Sequence, residues 1–178
     1  DEVSFIPSGY YYQSNGKNFL SPDHPPLVKD IGAIPLSQMN LKQAPEKPKS
    51  VLLQDYVQHL WGKEFLFEQN PEKAEKIILF ARTTVLAANC ILIFLIFISL
   101  ARIWKEKKAL LAVFLIACSQ FILAHSMLVT MDAMAGYFTL LALVWFGIVL
   151  KEIKDKQSNI KNILITSLFI SGALLSKS

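Results

Sequence analysis

Cysteine is scarce in this sequence, and so is charge. Its two cysteines, Cys90 and Cys118, both lie inside apolar stretches. They therefore form neither a disulfide framework nor a metal-binding knuckle, and we expect them to behave as small hydrophobic side chains. Charged residues make up 18% of the chain, and no stripe of Lys and Arg alternates with aromatic residues. This composition argues against nucleic acid as a partner.

A signal peptide is also missing from the sequence. There is no initiator Met, and no basic segment precedes a short apolar core. The first residue is Asp1, and the last, Ser178, closely follows an apolar run. We therefore expect the sequence to be a fragment of a longer protein, truncated at both its N- and C-terminal ends.

Hydrophobic residues are abundant, at 53% of the chain, and they are unevenly distributed. Residues 1–80 have the balance of an ordinary globular segment, whereas residues 81–178 contain apolar runs longer than buried core helices need. About twenty apolar residues cross a bilayer core of roughly 30 Å. The sequence therefore predicts an all-α membrane protein, in which a long first loop precedes several transmembrane helices.

The apolar half divides into four predicted transmembrane helices, at about 81–102, 109–125, 131–150 and 162–178. Residues 109–150 would extend roughly 60 Å as one helix, which equals two bilayer cores. We therefore place a turn at the polar break between His125 and Asp132.

Two basic connections, at 102–108 and 151–161, set the predicted orientation. By the positive-inside rule both are cytoplasmic, and the first loop is exempt because long loops translocate regardless of charge. We therefore expect a multi-pass protein of the plasma membrane or the endoplasmic reticulum. Its first loop, 1–80, and its turn at 125–132 would face the extracytoplasmic side.

Aromatic residues in the first loop indicate contact with the membrane surface. The run Tyr10-Tyr11-Tyr12 is typical of interfacial anchors. A flexible linker is predicted at 37–50, and then an amphipathic helix from apolar residues at helical spacing: Leu53, Tyr56, Val57, Leu60 and Trp61. Because Phe65 and Phe67 follow, we expect this helix to lie along the membrane surface.

The first loop also carries the groups that could do chemistry. The acidic pair Asp1-Glu2 opens the chain, and the stretch 21–29 contains Asp23, His24 and Lys29. Pro25-Pro26 fixes the backbone between them in what we expect to be a polyproline-like extension.

The predicted topology brings many ionisable residues to the extracytoplasmic face: Asp1, Glu2, Asp23, His24, Lys29, Arg82, His125, Asp132 and Lys177. Singly, each has an ordinary explanation: a solvated loop end, a helix N-terminal acid, a turn histidine, or a basic side chain reaching the headgroups. Ionisable groups at the ends of membrane helices are rare unless paired or functional. Together they favour a functional site.

Such a cluster suits a lipid-linked substrate. The cations would hold its phosphate at headgroup depth, and a carboxylate would take the proton from an acceptor hydroxyl. Oxygen ligands for a divalent metal could come from Asp1, Asp23 and Asp132, but their spacing matches no metal motif, so metal dependence stays open.

The same residues resemble a known family. Asp1-Glu2-Val3, followed by Asp23-His24-Pro25-Pro26-Leu27-Val28-Lys29, is similar to the first luminal loop of the protein O-mannosyltransferases, glycosyltransferase family 39. Ala81-Arg82, Asp132 and Ser176-Lys177 follow in a similar order. The wider group comprises the GT-C membrane glycosyltransferases that use polyprenyl-phosphate sugars, including the aminoarabinose transferases of lipid A.

The resemblance implies inverting transfer of a mannose-like sugar from a dolichyl- or polyprenyl-phosphate donor to a hydroxyl of a protein, lipid or glycan. It implies that Asp1 is the catalytic base, or its close neighbour, supported by Glu2. The remaining residues would bind substrate: Asp23 and His24 at the sugar and acceptor, Arg82 and Lys177 at the lipid phosphate, Asp132 at a cation or sugar hydroxyl, with Lys29 and His125 beside them.

The sequence departs from that family at Ser4-Phe5, where the mannosyltransferases favour His-Phe, and in the linker at 37–50. The sugar and the acceptor therefore stay open. Two other classes of protein also stay open. A transporter would place its acids near mid-membrane rather than at one end, and an assembly subunit would give no reason for the Asp-His-Pro-Pro stretch.

Overall fold

The structure, a computed structural model, describes residues 1–16, 20, 24–42, 57–157 and 159–177. Helices account for 84% of these residues, and no strand occurs among them, so the predicted all-α class is confirmed. The chain forms two compact units. The first unit is Asp1–Ala87 with Met127–Thr130, and the second unit is Ala88–Ser126 with Met131–Ser178.

Eight α-helices follow one another along the described residues: α1 Glu2–Asn15, α2 Leu27–Ala33, α3 Val57–Lys63, α4 Ala74–Ile103, α5 Glu106–Ala117, α6 Gln120–Ser126, α7 Asp132–Lys154 and α8 Ile160–Ser176. Shorter helical segments lie between them: 3-10 turns at Ile34–Gln38 and Pro71–Lys73, and a π-helical segment at Glu64–Gln69.

Helix α1 occupies a region that the sequence predicts to be a loop. The Asp1 carbonyl starts it by accepting hydrogen bonds from the Ser4 and Phe5 backbone N–H groups, at 2.9 and 3.0 Å. Gly16 ends it at φ 69°, in the left-handed region that glycine adopts without strain. The sequence did not predict this helix within the first loop, and the extracytoplasmic position of that loop stays a prediction.

Close backbone contacts explain how α1 packs. Pro7 lies inside α1 and has no N–H to donate to the Val3 carbonyl, four residues earlier. A Cβ on Gly62 of α3 would overlap that same carbonyl, and a Cβ on Gly9 would overlap the Lys29 carbonyl of α2. Glycines at the contacts therefore let both helices approach α1 closely.

Aromatic rings fill the interior of the first unit. Trp61 stacks on Phe65 with ring centroids 5.7 Å apart, and Tyr11 meets Trp61 edge-on at 5.6 Å. Trp61 and Tyr11 are 1% and 3% exposed. These rings therefore bury one another inside the unit, and the predicted position of the helix along a membrane surface stays a prediction. Phe67 is exposed, and residues 53 and 56 of the predicted helix lie outside the described residues.

Two further predictions for the first loop concern the backbone at Pro26 and the linker at 37–50. Pro26 has φ −79° and ψ −22°, so it enters helix α2 instead of forming a polyproline-like extension. The predicted linker at 37–50 starts within the 3-10 turn, and its residues 43–50 lie outside the described residues. Just before them, Asn70 binds both backbone groups of Lys42, with its Oδ1 accepting and its Nδ2 donating at 2.9 Å.

In the part of the chain that the structure describes, two helices are long and apolar enough to cross a membrane: Pro71–Ile103, which includes α4, and α7. A third crossing is possible if α5 and α6 together form one span. The sequence predicts a continuous helix at 109–125, whereas the chain bends by 70° between α5 and α6. Helix α8 has 17 residues. The predicted turn is present between Ser126 and Asp132. The number of crossings and their orientation stay predictions.

Polar side chains join the helices of the second unit. The Ser126 and Tyr137 hydroxyls are 2.9 Å apart, and Asn89 Nδ2 donates to the Ser126 carbonyl at 3.2 Å. Trp145 Nε1 donates to Ser99 Oγ at 2.9 Å. Such bonds stabilise packing between apolar helices because no water competes for the groups.

We expect Gly62→Ala to lower the thermal stability of the full-length protein in detergent. The added methyl would meet the backbone carbonyl of Val3, which cannot rotate away, and overpacking typically costs about 1–3 kcal/mol. Gly136→Ala is the control, because nothing lies within 4 Å of its added Cβ. Equal unfolding temperatures for the two variants would contradict the close α1–α3 contact.

Candidate functional site

The Glu2 carboxylate is firmly held in the first unit. Arg82, from the first half of α4, donates from Nε to Oε1 at 3.0 Å and from Nη2 to Oε2 at 2.5 Å. This two-point geometry fixes the orientation of both side chains. Glu2 and Arg82, two residues that the sequence analysis assigns to the site, therefore contact each other directly.

A backbone group gives Glu2 a third contact. The Val129 N–H donates to Oε1 at 2.8 Å, so residues 2, 82 and 129 of the sequence meet at one carboxylate. The Glu2 side chain is 16% exposed, whereas that of Arg82 is 44% exposed. Sequence reasoning missed Val129, because a backbone donor leaves no residue-type signal.

Asp1 precedes Glu2 in the chain, but its side chain has a different environment. Its carbonyl begins α1, and the Ser4 hydroxyl also donates to it at 2.8 Å. The residue is exposed, and its side chain makes no capping hydrogen bond to the helix. The first unit therefore has one carboxylate that is held and, next to it, one that faces solvent.

His24 and Lys29 form a second group in the first unit. Lys29 Nζ donates to the His24 carbonyl at 2.8 Å, and the His24 ring meets Phe5 edge-on at 5.2 Å. Lys29 is 1% exposed. A buried lysine that donates to the His24 carbonyl is suited to holding the backbone there, rather than to binding a substrate. Asp23, predicted to act beside His24, lies outside the described residues.

Burial also changes the ionisation of this group. It lowers the pKa of the Lys29 ammonium from its ordinary value, and the adjacent Asp30 carboxylate partly offsets that effect. Burial likewise raises the pKa of the Asp30 carboxyl, against the opposing influence of Lys29. Desolvation outweighs the attraction between the two neighbours at both residues.

In the second unit, Asp132 has two predicted partners. Lys177, just after α8, donates to Asp132 Oδ1 at 2.6 Å, and His125 Nδ1 lies 3.6 Å from Oδ2. Asp132 is the first residue of α7, where a negative charge also matches the helix dipole. The side chains of Asp132, Lys177 and His125 are 33%, 59% and 31% exposed, so solvent reaches all three.

Each unit therefore assembles part of the predicted site. Glu2 and Arg82 meet in the first unit, and His125, Asp132 and Lys177 meet in the second. The convergence of all the predicted residues on one pocket stays a prediction. Across the described residues, no group of three His, Cys, Asp or Glu side chains could hold a metal ion.

Comparison with known proteins adds no relative. No family model matches the chain, and no curated protein and no solved structure match it either. The resemblance to the O-mannosyltransferases therefore depends on the residues quoted above and stays a hypothesis.

We expect Asp132→Asn and Lys177→Met to be energetically coupled. Because both side chains are partly exposed, a double-mutant cycle on the full-length protein should give about 0.5–1 kcal/mol, and less at high salt. The measurement is the unfolding free energy of the four proteins. A matched cycle that uses Lys161→Met, near the other end of α8, should give none. Equal coupling in both cycles would contradict a direct ion pair.

Proposed function

We propose that the chain belongs to a membrane glycosyltransferase that moves a sugar from a polyprenyl-phosphate carrier to a hydroxyl on the extracytoplasmic side. The observation that carries the proposal is the arrangement of the acidic pair. Glu2 is fixed by Arg82 and the Val129 N–H, while the adjacent Asp1 carboxylate is exposed. General base catalysis requires an accessible carboxylate that is positioned at the acceptor, and an exposed carboxylate next to a rigidly held one fits that requirement.

In this proposal Asp1 is the base. The acceptor oxygen attacks the anomeric carbon of the donor sugar, and its proton passes to the Asp1 carboxylate. The bond from the anomeric carbon to the phosphate oxygen breaks, and polyprenyl phosphate leaves with the electron pair. Glu2 acts as a positioning residue, because its oxygens are already engaged by Arg82 and Val129.

The leaving phosphate needs positive charge. Arg82 contacts Glu2 through Nε and Nη2 and is 44% exposed, which leaves its Nη1 face for an anion. Cations placed at a phosphate offset the charge that develops as it departs.

The lengths of the apolar helices support a site at headgroup depth. Arg82 and Arg102 are twenty residues apart on α4, a rise of about 30 Å, which equals one hydrocarbon core. When Arg102 lies at one membrane surface, Arg82 therefore lies near the other. The acids of a transporter, by contrast, belong near the middle of the bilayer.

Sugar transfer tests the proposal directly. We expect Asp1→Asn in the full-length protein to reduce transfer of radiolabelled sugar from a polyprenyl-phosphate donor by about 10²–10⁴-fold, because the base is lost. Membrane vesicles containing the protein provide the assay. Glu2→Gln should lower the turnover less, since it affects only positioning.

The control for that assay is Glu75→Gln, an exposed acid on the first turn of α4, which should transfer sugar at the parent rate. Expression and unfolding temperature are checked for each variant. Parent-level transfer by Asp1→Asn would exclude the catalytic role, and no transfer by the parent protein from any such donor would favour a transporter or an assembly subunit.

Cysteine labelling tests the sidedness separately. In a full-length protein with Cys90 and Cys118 replaced by Ala, we expect Glu68→Cys to react with an impermeant maleimide from outside the cell. Lys154→Cys should react only after permeabilisation. Both positions are exposed, so accessibility to the reagent depends on the side of the membrane. The reverse pattern would place the acidic pair in the cytoplasm and end the proposal.

A further inference from the structure

The second unit contains a cleft at the basic end of α7, away from the Asp132 end of that helix. Its volume is about 640 Å³. Side chains from α4, α7, the following connection and α8 contribute to it, and the polar ones are Arg102, Lys151, Glu152, Asp155, Gln157 and Asn162. None of these residues takes part in the proposed transfer reaction.

The charges lining the cleft balance one another. Two are cationic, Arg102 and Lys151, and two are anionic, Glu152 and Asp155. The guanidinium carbon of Arg102 lies 5.0 Å from the centre of the Trp145 ring, which limits where this cation can move. A ligand with one charge of each sign is complementary to such a lining.

Glu152 specifies the positive part of such a ligand. Asn162 Nδ2 donates to its Oε1 at 2.5 Å. Its other oxygen, Oε2, is buried and accepts no hydrogen bond from any residue that the structure describes. A carboxylate oxygen without a donor is unfavourable, and Glu152 lines the cleft. A small rotation of its side chain would let an N–H group of a ligand in the cleft supply the missing donor.

The position of the cleft along α7 specifies where the ligand comes from. Asp132 and Lys151 are nineteen residues apart on this helix, a rise of about 29 Å, close to one hydrocarbon core. A helix of that length with one end at each surface puts Lys151 and Glu152 among the lipid headgroups. Arg and Lys side chains at that depth bind lipid phosphates.

We propose that this cleft binds the headgroup of a zwitterionic phospholipid with a primary amine, that is, phosphatidylethanolamine. Arg102 and Lys151 bind its phosphate, and its ammonium donates to Glu152 Oε2. A choline headgroup has the same charges but no N–H, so it cannot satisfy that oxygen. The proposal is independent of sugar transfer, because it uses none of the residues proposed for that reaction.

Lipid retention measures this preference. The full-length protein is placed in nanodiscs that contain equal amounts of phosphatidylethanolamine, phosphatidylcholine and phosphatidylglycerol with identical acyl chains, and retained lipids are then counted by native mass spectrometry. We expect phosphatidylethanolamine to be retained about tenfold over phosphatidylcholine, the effect of one hydrogen bond to a charged group. Glu152→Gln should remove most of this preference, because a neutral amide attracts an ammonium weakly.

Two further variants separate the parts of the site. Lys151→Gln should reduce the retention of all three lipids, since each has a phosphate. Glu106→Gln, an exposed acid on α5 that does not line the cleft, should retain the parent preference.

Four results would overturn the proposal. One is equal retention of the ethanolamine and choline lipids by the parent protein, and another is an unchanged preference in Glu152→Gln. The third is preferential retention of phosphatidylglycerol, which would make the cleft a simple anion site. Displacement of the lipid by an equal concentration of soluble glycerophosphoethanolamine would also exclude a membrane source.

Discussion

The attachment of Glu2 to Arg82 and to the Val129 N–H is the constraint on which the first unit depends. It joins the start of α1, the first half of α4 and the segment 127–130, which are far apart in sequence. A mostly buried carboxylate needs such partners, because an unpaired charge there would be strongly unfavourable. Its neighbour Asp1 is exposed to solvent. Structural stability and the proposed chemistry are therefore supported by adjacent residues.

The sequence predicted those parts of the fold that depend on local composition. Apolar runs revealed the long helices α4 and α7, and the polar break located the turn before Asp132. It did not reveal α1, whose packing depends on a contact between Val3 and Gly62, about sixty residues apart. Nor could the sequence reveal that the Trp61 ring packs against Tyr11 and Phe65, because these residues become neighbours only once the chain has folded.

The candidate site could be predicted by residue type but not by role. The ionisable residues at positions 2, 82, 125, 132 and 177 were identified from the sequence, and they contact one another within their own units. Lys29 was identified with them, yet its ammonium is buried against the His24 carbonyl, and no property of a lysine in a sequence distinguishes these outcomes. The Val129 N–H and the unpaired oxygen of Glu152 could not be found without coordinates, because both depend on backbone and side-chain geometry.

The bend between α5 and α6 has a consequence for the surrounding lipid. Helix α5 rises about 18 Å, and after a 70° bend α6 adds only about 4 Å along the same direction. A crossing built from this pair is therefore about 8 Å shorter than a typical hydrocarbon core. Lipids adjust to a short hydrophobic segment by thinning, at a modest cost for each ångström of mismatch. Water and headgroups would then reach deeper beside α5 and α6 than elsewhere around the protein.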